Sequence, residues 1–139
     1  MKRISILMAL MILFCCTVGY AADVILITNK SNPVSSVSTT DAKNMFLGKK
    51  SRWSDGSAVT AFTQKDVAVT DSFAKNFVKK SSQQFYMHWR KAVFTGKGTP
   101  PVEVENSEQM KKIVASKTGA VGYILSSELD DSVKKLDVN

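Results

Sequence analysis

Asp41 to Asp55 reads D-A-K-N-M-F-L-G-K-K-S-R-W-S-D, and a short helix, its stop and a basic-aromatic turn follow one another there without slack. Ala42, Met45 and Phe46 are spaced i, i+3 and i+4, which puts them on one apolar stripe of a helix. Thr39 or Thr40 is placed to cap the N-terminus of that helix, and Gly48 to end it in the left-handed conformation glycine adopts without strain. Lys49, Lys50 and Arg52 then crowd beside Trp53. Taken alone, this cluster is a solvated turn in which one aromatic side chain anchors a loop.

Upstream, residues 23–28 contain V-I-L-I-T, a β-branched run that reads as a central strand buried on both faces, as in a parallel sheet. Residues 29–38 are rich in Asn, Ser and Pro and form the loop into the helix. Ligands of open α/β sheets gather at such carboxyl strand ends, so Ser31, Asn32, Ser35 and Ser36 present hydroxyl and amide groups where an anion can sit. Downstream, Ser54-Asp55-Gly56-Ser57 is a turn signal and residues 58–63 a second strand. A loop at 64–69 leads to Thr70 as the cap of a helix whose Phe73, Ala74, Phe77 and Val78 share one buried stripe.

Lys79-Lys80-Ser81-Ser82 breaks that helix, and the next carries Phe85, Trp89, Ala92 and Val93 on its inner face. A loop at 94–101 and a short strand at 102–104 follow. Asn106 then caps a helix with Gln109 three residues on, Met110, Ile113 and Val114 inward and Gly119 as its stop. Residues 120–125 form a strand in which Gly122 implies close approach of another backbone. A polar helical turn at 126–131 and a terminal strand or frayed tail at 133–138 complete the chain. The order β-α-β-α-α-β-α-β predicts one α/β domain with helices on both faces of a small mixed sheet.

Asn32 to Gly56 resembles the "NP…FlGk…W.DG" segment of phosphate-type periplasmic substrate-binding proteins of ABC transporters. Phe94 to Pro101, Met110 to Val114 and Gly119-Ala120-Val121-Gly122-Tyr123-Ile124 are similar to that family's later return segment and the helix before it. The resemblance implies a single periplasmic-binding-protein-like (type 2) lobe that binds a small inorganic anion such as phosphate for a transporter permease or a sensor. One lobe offers half the usual contacts, so tight binding calls for a homodimer or a partner protein.

In that family the loop after the second strand carries an arginine and a D-G-S-G-T run, which wrap the anion with side-chain and backbone donors. Here it reads Gln64-Lys65-Asp66-Val67-Ala68-Val69-Thr70. Asp66 and Thr70 match, but Gln64 stands for the arginine, Ala68 for the serine, and Val67 and Val69 for both glycines. Two β-branched residues adopt the glycine nest poorly. By the resemblance, a remaining anion site brings Ser31, Ser35, Ser36, Lys65, Asp66 and Thr70 together at the carboxyl ends of the first two strands, with Lys65 as its cation. The alternative is a protein-interaction module that keeps the fold without the anion.

The residues support no catalytic constellation, cofactor or metal. His88 has no H-x-x-x-H partner, and no G-x-S-x-G elbow is present. Residues 1–22 run from Lys2 and Arg3 through an apolar stretch to Gly19-Tyr20-Ala21-Ala22, the layout of a secretory signal peptide. The apolar stretch from Ile4 to Phe14 is shorter than the about twenty residues a spanning helix needs. Cys15 and Cys16 both lie in this leader; lipid modification is the rival account of them, and the bulky Phe14 argues against it. Without the leader, the domain at 23–139 has no cysteine, and 17 basic against 12 acidic side chains leave a net charge of +5. An exported basic domain of this kind is expected to be periplasmic and to meet anionic solutes or envelope surfaces rather than nucleic acid. Mass spectrometry of protein recovered from the periplasm should find an N-terminus at Ala22 or Asp23; an intact Met1 would contradict the leader.

Overall fold

The computed structural model describes residues 23–139; the expected leader, with Cys15 and Cys16, lies outside the described residues. In chain order the elements are β1 (Val24–Thr28), β2 (Ser36–Val37), α1 (Thr39–Phe46), β3 (Thr60–Gln64), α2 (Val67–Phe73), a π-helical turn (Ala74–Val78), α3 (Ser82–Phe94), β4 (Val102–Val104), α4 (Ser107–Ser116), β5 (Ala120–Leu125), a 3-10 turn (Ser126–Glu128) and β6 (Lys134–Val138). The strands form one mixed sheet in the order β2-β6-β1-β5-β3-β4.

β1 is buried along its whole length, and its alternation divides the core. Val24 and Leu26 face the cluster under α1, α2 and α3, whereas Ile25 and Ile27 face the cluster under α4. β5 does the same beside it: Val121 and Tyr123 point one way, Ala120 and Ile124 the other. The expectation of a parallel neighbourhood for β1 is corrected, because it pairs antiparallel with both β5 and β6. Cover on both faces makes a strand uniformly apolar whichever way its neighbours run, so V-I-L-I-T carries no information on direction. β3 runs parallel to β5 and β4, and the two-residue β2, lying within the expected loop, runs parallel to β6.

Local signals account for most boundaries and for the corrections. Ser38, not Thr39 or Thr40, caps α1, accepting from Asp41 N at 3.0 Å, and Gly48 follows the helix with φ 74°. Ser81 and Gln84 form a reciprocal capping box at the start of α3, and Asn106 caps α4 by accepting from Gln109 N at 3.1 Å. α4 ends at Ser116, with Lys117 rather than Gly119 as its C-cap. Gly119 instead permits a close approach between segments. A Cβ there would collide with the Ala58 carbonyl, and the glycine's own carbonyl accepts from Trp53 Nε1 and Thr60 N, both at 3.0 Å. Trp53 is therefore buried, and it clamps the 52–58 turn to the start of β5. At Gly122 the close neighbour is the Met110 side chain, not another backbone.

Phe46, Phe73, Phe85, Trp89 and Val114 lie in the core as their spacing implies. Phe77 and Ile113 are only half-buried, and Val93 stands out in solvent at 53% exposure. For Phe77 the cause is the π-helical turn, whose i→i+5 spacing brings Val78, fully buried, into line with Phe73 and leaves Phe77 to one side. Val93 lies in the last turn of α3. Phe73→Ala should accordingly cost about 3–5 kcal/mol and Phe77→Ala about 1–2 kcal/mol in urea unfolding; equal losses would mean that the turn is α-helical in solution.

Candidate functional site

The expected site divides into two groups at opposite ends of the sheet. Thr28, the end of β1, pairs with Val121, whereas Val24 pairs with Leu125. β3 runs with β5, Thr60 beside Ala120, so Gln64 at its carboxyl end lies toward the amino end of β1. Ser31 follows the carboxyl end of β1, Ser35 is joined to that end by Lys134, Ser36 lies in β2 beside β6, and Lys65, Asp66 and Thr70 follow β3. The expected convergence of these six residues is corrected by the antiparallel β1–β5 pairing and, for Ser36, by the three strands between β2 and β3.

At the first end, hydrogen bonds within the loop hold its shape. Asn29 Oδ1 accepts from Ser31 N at 2.8 Å, and Asn32 bridges Thr28 Oγ1 and Val34 N. Ser36 lies in β2, opposite Asp137. The cation here is Lys134, whose Nζ donates to Asn32 O and, at 3.0 Å, to Ser35 Oγ. Sequence reasoning missed it because it comes from β6, ninety-nine residues beyond Ser35 in the chain.

At the second end, the groups are satisfied from within. Asp66, rather than Thr70, caps α2, its carboxylate accepting from Val69 N at 3.2 Å, so an acidic side chain already occupies this helix start. Lys65 Nζ lies 2.7 Å from Glu105 Oε1, and that hydrogen bond, then the charge of Glu105, raises the lysine pKa. Thr70 is 1% exposed and donates to Gln64 O at 2.8 Å. With the threonine proton committed, the Tyr123 hydroxyl, 2.6 Å away, donates to Thr70 Oγ1 and accepts from Gln64 N at 3.1 Å. Gln64 is itself buried and donates through Nε2 to Tyr123 O at 2.8 Å and Ser107 Oγ at 3.3 Å. Its Oε1 has no partner among the described residues.

The burial of Gln64 suits a neutral side chain. A guanidinium there would need a buried anion to offset its desolvation, whereas a neutral amide needs only hydrogen-bond partners. No group of three or more His, Cys, Asp or Glu side chains suited to a metal occurs among the described residues, and no helix there is long and apolar enough to cross a membrane.

The architecture matches solved proteins closely. A phosphate ABC transporter substrate-binding protein with bound phosphate from Clostridium perfringens superposes with a TM-score of 0.66 at 22% identity, over 84% of this chain and 44% of the other. An ABC-type phosphate transport receptor from Vibrio cholerae (TM-score 0.58, 18% identity, 84% and 46%) and PstS from Borrelia burgdorferi (0.62, 13%, 84% and 47%) match over similar spans. The fold is that of the phosphate-type substrate-binding proteins. The chain spans less than half the length of these structures. No protein-family model matches the sequence, and no curated protein matches it.

Burial drives the Tyr123 phenol well above its ordinary range, against the smaller opposing effect of its bonds to Thr70 and Gln64. A phenol kept protonated in the fold but free to ionise when unfolded contributes stability that is full below pH about 10 and fades as pH rises beyond it. Urea unfolding at pH 8 and pH 10.5 should show a larger alkaline loss for the wild type than for Tyr123→Phe; parallel losses would mean that water reaches the hydroxyl.

Proposed function

We propose that the chain is a solute-binding module of the cell envelope that takes an anionic ligand, such as a small oxyanion, and serves an ABC transporter or a sensor. The observation that carries this is the superposition of 84% of the chain on proteins whose names record phosphate transport. The net +5 of residues 23–139 suits an anion as well. The 64–70 loop is not the binding element, since Glu105 holds its lysine, Asp66 blocks its helix start and Tyr123 engages Thr70. Of the expected residues, Ser35 accepts a hydrogen bond from a cation, Lys134.

One observation favours a second reading, an interaction module that has kept the fold and given up the anion: the polar groups of the 64–70 loop are nearly all paired within the protein. Calorimetric titration of residues 23–139 with phosphate and with sulfate separates the two. The expected result is saturable binding at or below the millimolar range, changed less than about twofold by Lys65→Ala, because an exposed lysine already paired with Glu105 contributes little more to a ligand. No heat with either anion would favour the interaction module, and a tenfold loss in Lys65→Ala would restore the loop as the site.

A further inference from the structure

A groove of about 710 Å³ lies between the end of α1, the second half of α3, the start of β3 and the 97–102 loop. Leu47, Val59, Ala61, Trp89, Ala92 and Pro100 give it an apolar lining. Lys49, Lys50, Lys91 and Lys97 border it together with His88, and no carboxylate does. Lys50 has a distant partner in Asp41 at 3.7 Å, whereas Lys49, Lys91 and Lys97 have no ion pair among the described residues.

The floor is held rigidly. Trp89 Nε1 donates to Phe46 O at 2.9 Å, and His88 Nε2 lies 3.0 Å from Leu47 O. The far edge of the Trp89 ring fits against Gly48 and Gly98, where any side chain would press on it. Lysines often gather at helix ends because the terminal carbonyls attract them. Here those carbonyls already have donors. Asn44 O accepts from Lys49 N and Lys50 N, Ala92 O from Lys97 N, Val93 O from Gly96 N, and Lys91 O from Thr95 N and Oγ1. The lysine ammonium groups are thus left to solvent beside an apolar cavity of the size that takes small organic ligands.

We propose that this groove binds an amphipathic anion, a carboxylate or phosphate carried on an apolar body, with the body against Trp89 and the head among Lys49, Lys91 and Lys97. The site deepens the anion-binding function proposed above and rests on it. It explains how a lobe with a closed inherited loop can still select anions, and it adds apolar contact that a bare oxyanion lacks. A second copy of the chain is a poorer occupant, because it would bring one strongly basic rim against another.

Decanoate, decyl phosphate, decyltrimethylammonium and inorganic phosphate, each titrated into residues 23–139 and followed by calorimetry and tryptophan fluorescence, test the site. The expected result is saturable binding of both decyl anions, little binding of the decyl cation, and weaker binding of phosphate. Lys91→Gln/Lys97→Gln should weaken decanoate at least about fivefold, whereas Lys112→Gln/Lys117→Gln, an equal charge change on the opposite face of the sheet, should leave it within twofold. Thr95→Trp, which narrows the groove at constant charge, should weaken decanoate and spare phosphate. Equal decanoate affinity in the wild type and Lys91→Gln/Lys97→Gln would overturn the proposal, as would a dimer, seen by size measurement in the same samples, that excludes decanoate. Phosphate binding without decanoate binding would remove the groove site and leave the anion function standing; binding of none of the anions would remove both.

Discussion

The Tyr123 hydroxyl is the point on which the aromatic half of the core and the 64–70 loop depend together. Its ring stacks on Phe73 at 3.9 Å between centroids and 6° between planes, and Phe73 in turn meets Phe46 and Phe85 edge-on. Its backbone lies in β5, between β1 and β3, and its oxygen joins Thr70 Oγ1 to Gln64 N. One side chain therefore links the sheet, the start of β3's exit loop and α2. Buried hydroxyls are costly unless all their bonds are made, so the loop has a single low-energy arrangement. That arrangement turns donors which could have faced a ligand toward the interior.

Much of this was legible from residue order. Residues 120–125 form the expected strand, Asn106 and Gln109 mark the start of α4, and the left-handed Gly48 follows α1. Each of these signals is local, and local geometry decides it. Strand direction is not local: β1 could not reveal that β5 and β6 run against it, and with direction went the expected convergence of Ser31 with Lys65. Asp66 was open to detection, since an aspartate three residues before Val69 is a sound capping pattern, but the apolar stripe beginning at Phe73 drew the cap to Thr70. Lys134 and Glu105 were beyond reach, because each meets its partner only through a long-range sheet contact.

The altered loop and the basic groove belong to one physical account. Val67 and Val69 lack the backbone freedom that an anion nest requires, and Gln64 is buried as a neutral group. Positive charge stands instead on the rim beside Trp89. The chain spans less than half the length of its structural relatives, and an apolar surface under a lysine rim supplies contact area that a lone oxyanion site cannot.

The central claim is that the Val67–Thr70 backbone does not serve an anion, and amide chemical shifts of the isotope-labelled domain during a phosphate titration test it most directly. The account predicts that the amides of Val67, Ala68, Val69 and Thr70 stay in place while any saturable shifts occur elsewhere. Saturable movement of those four amides, with the Tyr123 contacts displaced, would contradict it.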